Sequence, residues 1–144
     1  MQPFLDSADI VNDGPELQKR MDRDGYLFIS GLLPSEPLED VRIKLLKMMR
    51  DEGWVKANAP LGDGIADLNG FCVFPEDKYM VVNRGLNMLR EFHALPHHPN
   101  IIGLMERMVG VPVMPHAKTH SRYHLPPAGG IHDTTPPGFC LGSR

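Results

Sequence analysis

His116, His120 and His124 recur at four-residue intervals within VPVMPHAKTHSRYHL, residues 111–125. On a helix this spacing would stack three imidazoles on one face, where a metal ion could be held. The flanks argue against a helix. Pro112 and Pro115 stand at the start, Pro126 and Pro127 follow, and Thr119 and Tyr123 favour strand. An extended segment is therefore expected. In extended geometry side chains alternate, so His116, Lys118, His120, Arg122 and His124 project to one side. Ala117, Thr119, Ser121, Tyr123 and Leu125 project to the other. Residues four apart are then separated by about 13 Å, too far to share one ion. The spacing predicts a one-sided basic ladder. Two roles suit it: a cavity wall that receives an anionic ligand, or the solvated face of an edge strand whose charges discourage association.

A second stretch, the acidic DGIADLNG at residues 63–70, invites comparison with a calcium loop. The order of acidic positions and the closing glutamate of an EF-hand are missing, so turn chemistry is the expectation there.

The elements that must carry these residues are partly readable. Pro15, behind Gly14, sits at the favoured first position of a short helix, with Leu17 and Met21 as apolar contacts and Gly25 as its stop. Tyr26-Leu27-Phe28-Ile29, between Gly25 and Gly31, reads as a short buried strand. Ser35 is a good N-cap, with Glu36 and Glu39 in the first turn. Leu38, Val41, Leu45, Met48 and Met49 then recur at helical steps up to Gly53. From Val55 to Glu76 the chain is rich in Gly, Asp, Asn and Pro, and mostly loop is expected, with a brief strand at Phe71–Phe74. Further helices are predicted from about Asn83 to Leu95 and from Pro99 to Val109, the latter stopped by Gly110.

Composition narrows the class. At 144 residues the chain has the length of one domain, and 42% hydrophobic with 23% charged residues is a globular balance. A net charge of −3 with scattered Lys and Arg offers no footprint for nucleic acid or an anionic membrane. Cys72 and Cys140 form no CxxC pair and no disulfide framework, which fits a reducing compartment. No stretch approaches the roughly 18 apolar residues of a membrane span. The acidic N-terminal residues do not suit a signal peptide, and the C-terminal GSR is not a peroxisomal signal. A cytoplasmic protein is the expectation.

Three stretches together resemble the phytanoyl-CoA dioxygenase family of iron(II)/2-oxoglutarate-dependent dioxygenases. DGYLFISGLLPSEPLEDVRIKLLKMM resembles the family's first core strand, its Gly-Leu-Leu turn and the following helix. LPHHPNIIGLMERMVGVPV resembles the helix before the first barrel strand, and THSRYHLPPAGGIHDTTPP the segment leading to the iron ligands. The resemblance runs from about residue 20 to 137, and residues 138–144 diverge. It implies a single partial domain of α+β class: the N-terminal helices and first strands of a double-stranded β-helix (jelly roll), incomplete.

Complete members use Fe(II) and 2-oxoglutarate to hydroxylate a small organic substrate, with iron held by two histidines and a carboxylate. The first two ligands come from an H-x-D motif, which tends to follow a Thr-Thr-Pro-Pro lead-in. Here Thr134-Thr135-Pro136-Pro137 is followed by GFCLGSR. His132-Asp133 is adjacent rather than spaced by one, which on a strand sends the side chains to opposite faces. No residue is carried over as a metal ligand or catalytic group. In the family the strand matching Arg122 borders the cosubstrate cavity, so the resemblance implies cosubstrate or substrate contacts for His120, Arg122 and His124. The chain accordingly reads as a truncated, inactive dioxygenase, with a non-catalytic binding or regulatory module as the alternative. Open strand edges would favour self-association.

Overall fold

Asp13 opens the first helix by accepting a hydrogen bond from the Glu16 amide, and Gly25, at φ 73°, closes it. This helix, α1 (Gly14–Asp24), places Pro15 in its first turn, where the missing N–H costs nothing. In a computed structural model of the chain, residues 3–70, 72, 74–116, 121 and 123 are described. Four further helices follow: α2 (Ser35–Asp51), α3 (Asp77–Asn87), α4 (Arg90–Ala94) and α5 (Pro99–Val109). Single 3-10 turns lie at Ala8–Ile10, Leu61–Asp63 and Leu95–His97.

The described residues contain helices and no strand, which corrects the expected α+β class with jelly-roll strands. The apolar run Tyr26–Ile29 makes only an isolated parallel bridge, Asp6 to Phe28, with the Ser7 amide donating to the Phe28 carbonyl at 2.7 Å. Apolar and β-branched character suits a pleated surface but does not create one. Without partners on both edges the run stays an irregular connection, and Phe28 is 44% exposed. The second bridge, antiparallel between Val55 and Ala66, only closes a loop. The strand expected at Phe71–Phe74 lies partly outside the described residues, and Phe74 itself is in a turn.

The chain divides into two compact units, one of Met1–Glu39 with Arg90–Lys118, the other of Asp40–Leu89 with Thr119–Arg144. In the first, α1 packs on α5, and their contact buries Leu17 and Leu104. Gly14 is what allows the close approach, because a Cβ there would run into the Arg107 carbonyl. Arg107 also donates from Nε to the Val11 carbonyl at 3.0 Å.

In the second unit Leu46, Met49, Trp54, Val55, Cys72 and Val82 form one buried cluster, with Leu45, Leu61, Tyr79 and Tyr123 packed against it. Of the stripe expected on α2, Val41 and Met49 are buried. Leu46 is buried as well, and Leu38 is 41% exposed. The helix expected from Asn83 is instead two. α3 begins at Asp77 and ends at Asn87, and α4 starts at Arg90. Gly85 in α3 leaves room for the Met48 side chain, whose sulfur a Cβ would meet at 2.7 Å.

Candidate functional site

An open cleft of about 380 Å³ lies within the first unit, and three elements build it. Ala8 and Val11 come from the N-terminal 3-10 turn and its exit, and Ile29–Leu32 from the turn after the apolar run. Pro99, Asn100 and Arg107 come from α5. Asn100 and Arg107 are seven residues apart, so a helix presents both on one face. Val11, Ile29, Leu32 and Pro99 contribute apolar side chains, and Ser30, Asn100 and Arg107 supply the polar ones.

Each polar group is held. Ser30 donates through its hydroxyl and its amide to the Asp6 carboxylate, which also accepts from the Ala8 amide. These hydrogen bonds, the Ser30 hydroxyl first, hold the Asp6 carboxyl below its ordinary value. The Asn100 side-chain amide donates to the Leu32 carbonyl at 2.7 Å. The Arg107 guanidinium is tethered at Nε by Val11 and lies over Gly103, with its terminal nitrogen 3.3 Å from where a Cβ would stand. Gly31, at φ 68°, takes a left-handed turn that a side chain would strain.

The N-terminus of α5 is already satisfied from within. His98 Nδ1 accepts from the Asn100 amide at 3.2 Å, and its carbonyl accepts from Ile101 and Ile102. His97 Nδ1 sits 2.9 Å from the His93 carbonyl. The His97 and His98 imidazoles are thus engaged in local backbone contacts, and the His93 ring meets Phe92 edge-on. Among the described residues no group of three or more His, Cys, Asp or Glu side chains is placed to hold a metal. The donor set described here does not fit an iron centre.

His120, Arg122 and His124 lie outside the described residues, as do His132 and Asp133. Two neighbours on the opposite side of the predicted alternation are described. The Ser121 hydroxyl donates to the Tyr123 hydroxyl at 2.9 Å, so these two side chains meet. Tyr123 also packs on Trp54 and Tyr79, with ring centroids 5.9 Å apart in each pair.

Sequence reasoning missed this aromatic cluster, and it missed the cleft. Trp54 and Tyr79 stack at 5.9 Å, and Phe74 meets Tyr79 edge-on at 5.8 Å. Burial pushes the Tyr79 hydroxyl up, with Tyr123 and Cys72 adding to it. Burial also pushes the Cys72 thiol up, and Glu76 reinforces the shift. The Trp54 indole N–H acts weakly on that thiol but makes no hydrogen bond of normal geometry. A thiol held protonated among aromatic rings is a core residue rather than a nucleophile.

Comparison with family models, with curated proteins and with solved structures finds no match to this chain. No helix among the described residues is long and apolar enough to cross a membrane.

Proposed function

We propose that this chain is a helical segment of an iron(II)/2-oxoglutarate-dependent dioxygenase of the phytanoyl-CoA dioxygenase type, which by itself turns over no 2-oxoglutarate. The observation that supports it is the register of two helices. α2 begins one residue after the Gly-Leu-Leu turn, past Pro34, and α5 occupies Pro99–Val109, the positions the resemblance assigns to helices. The chemistry of the histidines points the same way. None of the seven is followed two residues later by an acidic residue, so no H-x-D pair exists in these 144 residues. Hydroxylation of a small organic substrate, with Fe(II) and 2-oxoglutarate, belongs in this reading to complete enzymes of the type. The chain lacks a basic footprint for nucleic acid and is cytoplasmic in this reading.

A specific observation favours a second role, as a non-catalytic binding module: each unit has its own buried residues, and the first carries a cleft. Sequencing the gene beyond the Pro137 codon tests the dioxygenase ancestry. An H-x-D motif in another frame or a later exon supports it, and continuous coding sequence without one overturns it.

A further inference from the structure

Among the described residues Arg107 is the one cation lining the cleft, and its guanidinium donates at Nε to the Val11 carbonyl. That contact tethers the guanidinium at Nε, and among the described residues no carboxylate pairs with its terminal nitrogens. A pre-positioned guanidinium offers two parallel donors, the arrangement that pairs with a planar carboxylate. Asn100, about two turns away on the same face of the helix, brings a side-chain amide already oriented by the Leu32 carbonyl. Val11, Ile29, Leu32 and Pro99 supply apolar surface beside these donors. The volume, about 380 Å³, falls at the small end of ligand sites.

We propose that this cleft binds a small monocarboxylate with a short apolar chain, its carboxylate on Arg107 and its chain against Val11, Ile29 and Leu32. One guanidinium balances one negative charge, which favours a carboxylate over a doubly charged phosphate. Asp6 does not line the cleft, but it is hydrogen-bonded to the lining residues Ser30 and Ala8 and keeps its charge, which further disfavours a doubly charged ligand. The site is independent of the dioxygenase reading, since it uses no iron and no residue of the basic ladder.

The test is a titration of the full chain with sodium butyrate, followed by amide and arginine side-chain NMR signals. Sodium chloride at equal ionic strength and neutral butyramide serve as controls. The expected result is a saturable displacement of the Arg107 Nε–H signal and of the Gly31 and Gly103 amides by butyrate alone. Arg107→Gln is expected to weaken binding roughly tenfold or more. Displacement by butyramide or chloride to the same extent, shifts confined to other residues, or unchanged binding in Arg107→Gln each overturns the proposal. Should that variant fail to fold, the Arg107 side-chain signal of the unaltered chain decides the matter alone.

Discussion

Asp6 gathers the Ala8 amide, the Ser30 amide and the Ser30 hydroxyl onto one carboxylate, and so ties the N-terminal segment to the turn that borders the cleft. Those donors favour the charged form, which is why the carboxyl lies below its ordinary value of 3.8. A depressed folded-state value has a definite consequence for pH. The stabilisation is complete above the unfolded value and is lost as pH falls through the lowered folded value. Asp6→Asn is therefore expected to lower the melting temperature near neutrality. Its deficit relative to the unaltered chain should hold down to about pH 5 and close only in stronger acid. Thermal melts of both proteins at matched pH check this. A deficit that is the same at every pH would show that the carboxylate charge plays no part.

At the scale of elements, the contact of α1 with α5 rests on a glycine. A methyl group at residue 14 would run into the Arg107 carbonyl, so Gly14→Ala must separate the two helices. Overpacking of this kind typically costs about 1–3 kcal/mol. Gly62, with open space around its Cβ direction, is the control, and alanine there is expected within about 0.5 kcal/mol of the original. Denaturant titration of both variants measures the difference. The elements also show where the amino-acid sequence is informative. α1 and α5 were readable because their limits are set by local chemistry: Pro15 and Gly25 for one, Pro99 and Gly110 for the other. The strand at Tyr26–Ile29 was not, since a strand depends on a partner that its own residues do not specify. The cleft escaped notice for a similar reason. Val11, Ser30 and Arg107 are far apart in sequence and carry no shared spacing, and only the packing of α5 brings them together. The burial of Leu46, outside the expected stripe, reflects which face of α2 the second unit covers, a tertiary choice the apolar stripe leaves open.

At the scale of the whole molecule, each unit leaves sizeable apolar side chains in solvent. Phe4 is 68% exposed and stacks on the half-exposed Phe28, while Met88 and Met114 are 85% and 89% exposed. Such surface favours self-association. Sedimentation velocity is expected to show oligomers whose share rises with concentration, and the double substitution Phe4→Ser with Phe28→Ser should shift them towards monomer. A strictly monomeric chain at high concentration would remove the basis for this expectation. Whether these 144 residues turn over 2-oxoglutarate on their own is measured by incubating the purified chain with iron(II), ascorbate and 2-oxoglutarate and quantifying succinate against a metal-free control. Succinate is expected at the control level; iron-dependent succinate above it would show that the chain assembles a working iron site by itself.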